Sequence, residues 1–137
     1  MKLSIIICAY NERRTILDAI QQARAVDLGP GWDKEVIVVD NCSTDGTRDI
    51  LQSVDIPGVR VVLHPRNLGK SGSILTGIRE ASGEYFLIFD ADLEYDAADI
   101  PRMVDAVIPG ETVAVFGSRT LGGRKIYILS LIHISEP

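Results

Sequence analysis

Cysteine is scarce: the 137 residues include two, Cys8 and Cys42. One lies in an apolar run and the other just after one. Two such thiols make no disulfide framework, and a reducing, cytoplasmic setting is expected. Long apolar runs are also missing. None approaches the roughly 20 residues needed to span a bilayer. The first, residues 3–9, stops at Tyr10-Asn11-Glu12 and does not read as a signal peptide. There is no excess of cations: 14 Lys and Arg against 19 Asp and Glu give a net charge of −5, which argues against a general nucleic-acid binder. No internal repeat or low-complexity linker is visible, and no G-x-G-x-x-G follows the first apolar run, which argues against a dinucleotide-binding domain. What is present, 46% hydrophobic and 24% charged residues, suits one globular domain with a real core.

Strand and helix patterns alternate along the chain. Residues 3–9 (LSIIICA), 35–39 (EVIVV), 59–63 (VRVVL), 86–89 (FLIF) and 112–116 (TVAVF) read as buried strands. Between them, residues 13–26, a short segment holding Ile50, Leu51 and Val54, residues 71–81 and residues 97–108 carry apolar side chains at helical spacing. Asn11 and Asp96 are candidate caps for the first and last helices. Gly29-Pro30-Gly31, Pro57-Gly58 and Ser82-Gly83 punctuate the units. This alternation predicts a parallel α/β sheet with helices on both faces. Ligands of such sheets bind beyond the carboxyl ends of the strands. Those ends carry Tyr10-Asn11-Glu12, Asp40-Asn41, His64 to Asn67, Asp90-Ala91-Asp92 and Ser118-Arg119.

The acidic end of the fourth strand is the chemical focus. If extended geometry persists, Asp90, Asp92 and Glu94 point to one side. Three converging carboxylates suit a hard divalent ion, Mg²⁺ or Mn²⁺, that bridges to phosphate oxygens. Taken alone, the same residues also fit a solvated acidic turn ahead of a helix. Gly69-Lys70-Ser71 opens a helix after a strand, like the end of a P-loop. The Gly required five residues earlier is His64, and Pro65 has no N–H to give a phosphate, so a P-loop NTPase ranks low. Lys70 fits either a diphosphate contact or an exposed lysine at a helix start. His64 reads as structural more readily than as a base. Arg119 is the better candidate for an anionic group.

CAYNE (residues 8–12), VVDNCSTDGT (38–47), RNLGKSGSILTG (66–77), GEYFLIFDADLEYD (83–96) and GSR (117–119) occur in the order seen in family 2 glycosyltransferases. The chain resembles the dolichol-phosphate mannosyltransferase branch and the bacterial polyprenyl-phosphate glycosyltransferases over about residues 1–125. The resemblance implies a GT-A nucleotide-sugar-binding fold, Rossmann-like and mostly parallel, incomplete at its C-terminus. By the same resemblance Ala9, Tyr10, Glu12 and Asp40 hold the nucleoside, and Lys70, Asp90 and Ala91 help bind the nucleotide sugar. Asp90 and Asp92 form the D-x-D pair on metal and diphosphate, with Glu94 as a further metal ligand. Asp92 and Arg119 count as catalytic, Arg119 through the acceptor phosphate. Cys8 departs from a usual proline, and Asn41-Cys42 from a common Asp-Gly. Residues 130–137 (SLIHISEP) look like translated sequencing-adapter read-through, so residues 126–137 are set apart from the domain.

The expected reaction is inverting transfer of a sugar from a GDP-mannose or UDP-glucose type donor to a polyprenyl or dolichyl phosphate, assisted by Mg²⁺ or Mn²⁺. A phosphate acceptor is already anionic, so the chemistry needs no strong base, whereas a hydroxyl acceptor usually does. A polysaccharide or cell-envelope hydroxyl stays open as acceptor, as does a donor-binding fragment without turnover. The expected setting is the cytoplasmic face of a membrane, with no nucleic-acid partner.

Overall fold

The structure, a computed structural model, describes residues 1–116 and 130–133. The elements run β1 (Lys2–Ala9), α1 (Ile16–Ala25), β2 (Asp33–Asp40), α2 (Thr47–Gln52), β3 (Val59–Leu63), α3 (Gly69–Glu80), β4 (Tyr85–Asp90), a 3₁₀ turn (Ala97–Asp99), α4 (Ile100–Asp105), β5 (Ala114–Phe116) and β6 (Ser130–His133). The sheet order is β3-β2-β1-β4-β6-β5. β1, β2, β3 and β4 are parallel, as the alternation predicts. β6 is antiparallel to both β4 and β5, so the sheet is mixed. The fifth strand is therefore separated from β4 by a strand from the segment that the sequence reading set apart.

β1 and β2 are central and buried on both faces, which explains their nearly unbroken apolar runs. Strand alternation sorts their side chains. Leu3, Ile5, Ile7 and Ala9 join Ile16, Ala19, Ile20, Ala23, Ile100, Met103 and Val104 in one core cluster, so α1 and α4 cover that face. Ile6 points the other way, toward α3. Helix α3 lies so close there that a Cβ at Gly77 would sit 2.3 Å from Ile6 Cγ2. Helices thus cover both faces.

Two expected caps resolve differently. Asp96 caps the 3₁₀ turn that leads into the last helix, its Oδ1 accepting from the Ala98 N–H at 2.9 Å, whereas α4 itself starts after Asp99 with no side-chain cap. Asn11 does not cap α1, which starts at Ile16 with Thr15 before it. Asn11 instead has φ 53°, and its Oδ1 accepts from the Thr44 N–H at 2.8 Å. It ties the loop after β1 to the loop after β2, two walls of the same edge.

Candidate functional site

β2 and β3 lie on one side of β1, and β4 lies on the other. The chain reverses its direction of winding between β1 and β4, and at that point the loops beyond the strands part to leave a crevice. A cavity of about 340 Å³ opens there. Its walls include Ala9, Tyr10 and Glu12 at the end of β1, Asn41 after β2, Asn67, Gly69 and Lys70 around the start of α3, and Asp90, Ala91 and Asp92 at the end of β4.

The register explains which side chains meet. Tyr85, Leu87 and Phe89 belong to the α1/α4 core, so Asp90 turns to the α3 face. Cys8 is paired with Asp90 across β1 and β4 and shares that face. Lys70 reaches over from α3 and places its ammonium 3.1 Å from Asp90 Oδ1 and 3.3 Å from Oδ2. The Tyr95 hydroxyl also bonds to Asp90. Burial works against the charge on Lys70, but its hydrogen bond to Asp90 and the carboxylate's charge prevail and raise its pKa. Burial, reinforced by the Asp90 charge, pushes the Cys8 thiol up to about 11, so it stays neutral.

Asp92 lines the same cavity, but its Oδ1 accepts from the Glu94 N–H at 3.1 Å. Leu93 has φ 62°, which ends the extended geometry after Asp90. Glu94 is not on the cavity wall. Among the described residues, no three carboxylate, His or Cys side chains gather as a metal cage. The expected alignment of Asp90, Asp92 and Glu94 on one side does not form. Two carboxylates on one wall still fit a hard divalent ion, because Mg²⁺-type sites draw on one or two carboxylates and complete the shell with phosphate oxygens and water. Asp90, holding an ammonium across both oxygens, already acts as a cation ligand.

Asp40 is placed differently from Asp90. It follows Val36 and Val38 on the α1/α4 side of β2 and does not line the cavity. Its carboxylate is fully buried. Oδ2 accepts from the Ser43 N–H at 3.2 Å and lies 3.5 Å from Arg48 Nη1. Oδ1 has no hydrogen-bond partner among the described residues. A buried carboxylate oxygen left unpaired costs free energy that a donor on a ligand recovers.

His64 is buried and structural, as expected. Its Nδ1 lies 3.2 Å from Asn41 Oδ1 and its Nε2 2.8 Å from Thr76 Oγ1. Asn41 Oδ1 also accepts from the Leu68 N–H at 2.8 Å, and Asn67 Oδ1 from the Gly69 N–H at 2.8 Å. Two amides of this loop, those of Leu68 and Gly69, are thus taken by side chains and not offered to a phosphate. Arg119 lies outside the described residues. Cys8, Asn67 and Ser73 line the cavity without having been singled out from the sequence as site residues. Asn67 does stand among the strand-end residues of the ligand edge, and alternation along paired strands puts Cys8 beside Asp90.

The sequence matches the Glycosyl transferase family 2 profile over residues 4–133. The chain belongs to that family. A dolichol-phosphate mannosyltransferase of Pyrococcus furiosus is 34% identical over 127 residues, which cover 92% of this chain and 35% of that protein. An undecaprenyl-phosphate 4-deoxy-4-formamido-L-arabinose transferase of Pseudomonas fluorescens is 30% identical over 139 residues, 97% of this chain and 41% of that one. Among solved structures, the mannosyltransferase PcManGT of Pyrobaculum calidifontis, in complex with GDP-Man and Mn²⁺, superposes with a TM-score of 0.69 at 28% identity, covering 82% of this chain and 34% of that one. The glucosyl-3-phosphoglycerate synthase of Mycobacterium tuberculosis, in complex with Mn²⁺, UDP and phosphoglyceric acid, gives 0.63 at 27% identity, covering 82% and 40%. This family 2 chain has the GT-A fold of those enzymes. It spans about a third to two-fifths of the length of these relatives.

Proposed function

We propose that this family 2 chain supplies the donor site of an inverting glycosyltransferase. The donor is a nucleotide sugar of the GDP-mannose or UDP-glucose type, and the acceptor is a polyprenyl or dolichyl phosphate. The observation that carries the reading is the cavity at the winding reversal, where Asp90 and Asp92 share a wall that Lys70 faces across the opening. Residues 1–125 contain every position assigned to the donor.

The nucleoside lies against Ala9, Tyr10 and Glu12, with Tyr10 exposed enough to stack on a base. Asp40 is assigned to the nucleoside by the family resemblance, from a buried position beneath the loop after β2. Asp90 and Asp92 would hold Mg²⁺ or Mn²⁺ beside the diphosphate, with Glu94 assigned as a further ligand by the resemblance. The bound ion supplies Lewis-acid stabilisation of the charge that builds on the departing diphosphate. Lys70 adds a positive charge from the opposite wall, and Ala91 presents backbone beside Asp90 and Asp92. The acceptor phosphate attacks the anomeric carbon from the opposite face, with Arg119 as its counter-charge. A phosphate nucleophile needs no deprotonation, consistent with the only described histidine near the edge being locked into the Asn41–Thr76 network. Among the described residues no helix is long and apolar enough to cross a membrane. The lipid acceptor places the reaction at a membrane surface, on the cytoplasmic side.

A second reading, donor binding without turnover, is favoured by the chain spanning 35% of the mannosyltransferase it resembles. Thermal stabilisation by GDP and UDP, with and without Mn²⁺, tests the donor site, because a ligand of the folded state raises the melting temperature. A Mn²⁺-dependent shift that Asp92→Asn removes is the expected result. No shift with either nucleotide sinks the donor-site reading. Transfer of labelled sugar to a polyprenyl phosphate then separates turnover from binding.

A further inference from the structure

Resting on the donor-site reading, we propose that Lys70 is a built-in substitute for the divalent cation: its ammonium holds Asp90 while no metal is bound and yields that carboxylate when metal and diphosphate arrive together. The ammonium sits almost symmetrically on the carboxylate, 3.1 Å and 3.3 Å from its two oxygens. It comes from α3, on the opposite wall of the cavity, so the pair closes across the space that a ligand enters. A metal on Asp90 needs one of the same oxygens at about 2.1 Å. The two cations repel each other, so they compete for the carboxylate.

The two partners differ in freedom to move. The Asp90 side chain is 18% exposed at the end of a central strand and also accepts the Tyr95 hydroxyl. The Lys70 side chain is 63% exposed on a flexible stem in the first turn of α3. Lys70 is therefore the partner that moves. An ion pair this exposed is worth little, as a displaceable counter-ion must be. Once released, the ammonium remains tethered at the cavity wall, where a diphosphate offers the nearest negative charge. Metal alone displaces it without providing that new partner, and metal with diphosphate provides one. The two ligands should therefore bind with positive coupling, reciprocal by thermodynamic necessity.

Mn²⁺ binding measured by electron paramagnetic resonance of the free ion tests this, on wild type, Lys70→Met and Asp90→Asn, with and without GDP or UDP. Lys70→Met should bind Mn²⁺ alone about 2- to 5-fold more tightly than wild type, and the enhancement of Mn²⁺ binding by nucleotide should shrink by a similar factor. Lys70→Arg, which keeps the counter-charge, should show no gain for Mn²⁺ alone. Failure of Lys70→Met to gain affinity, including undetectable Mn²⁺ binding in both proteins, overturns the proposal. Asp90→Asn separates the two levels. If it leaves Mn²⁺ binding with nucleotide intact, the donor-site reading itself is wrong. If it abolishes that binding while Lys70→Met changes nothing, only the role given to Lys70 falls.

Discussion

Substituting Gly77 by Ala perturbs the seat of α3 on the sheet. The new methyl carbon would lie 2.3 Å from Ile6 Cγ2 and 3.2 Å from Cγ1 and Cδ1 of the same residue. Carbon contacts prefer about 3.5–4.0 Å, so helix and strand must separate by more than about 1 Å. Ile6 cannot give way, since it is fully buried on a strand paired on both sides. Overpacking costs about 1–3 kcal/mol, and a 2.3 Å contact against a side chain that cannot yield puts this one in the upper half, about 2–3 kcal/mol. Alanine recovers about 1 kcal/mol through helix propensity. The net expectation is a loss of about 1–2 kcal/mol, a fall in melting temperature of roughly 3–8 °C for a chain of this size. Guanidinium denaturation should show a lower midpoint at unchanged slope. The function should follow, because α3 carries Gly69, Lys70 and Ser73 of the cavity wall. Displacing the helix should weaken Mn²⁺-dependent nucleotide binding. Adding Ile6→Ala makes room for the methyl, so the double variant should be more stable than the sum of the single changes predicts. A Gly77→Ala protein as stable as wild type or more so would refute the close seating of α3 and the reasoning built on it.

Three other outcomes follow from the same structure. Asp40→Asn removes the buried charge that lies 3.5 Å from Arg48 Nη1, so the denaturation midpoint should fall, and nucleotide affinity by calorimetry should fall roughly 10-fold or more; unchanged affinity would remove Asp40 from the donor site. Cys42 has φ 63°, a conformation that strains a residue bearing a Cβ. Cys42→Gly should therefore stabilise by about 0.5–1 kcal/mol after the greater chain entropy of glycine is deducted, and a loss in denaturation midpoint would contradict it. For Glu35, burial pushes the carboxyl pKa up, but hydrogen bonds from Ser4 and Ser82 and the charge of Lys2 together outweigh it, so the folded value lies below 4.5. A depressed folded pKa contributes stability above the unfolded value and loses it as pH falls through the folded one. Urea midpoints should therefore drop below about pH 4.5, and Glu35→Gln should flatten that part of the curve; an equally steep profile in the variant would discount Glu35.

The sequence alone determined the alternation of strands and helices, the parallel core of four strands and the edge on which polar residues gather. These features depend on local periodicity and on strand-to-helix punctuation, which are written in short windows. It also determined the family, because five ordered motifs survive in residues 8–119. Pairing beyond β4 was not legible, since residues 130–133 are short and apolar with no local sign of direction, and only long-range contact puts them antiparallel between β4 and β5. Nor was the division of the ligand edge into two faces. Asp40 and Asp90 both end buried strands, yet strand phase relative to the core turns one toward α1 and α4 and the other toward α3. The turn at Leu93, with its positive φ, broke the period-two argument for Glu94. Lys70 could be placed at a helix start, but its meeting with Asp90, 20 residues away in sequence, was decided only by the packing of α3 onto β1 through Gly77 and Ile6.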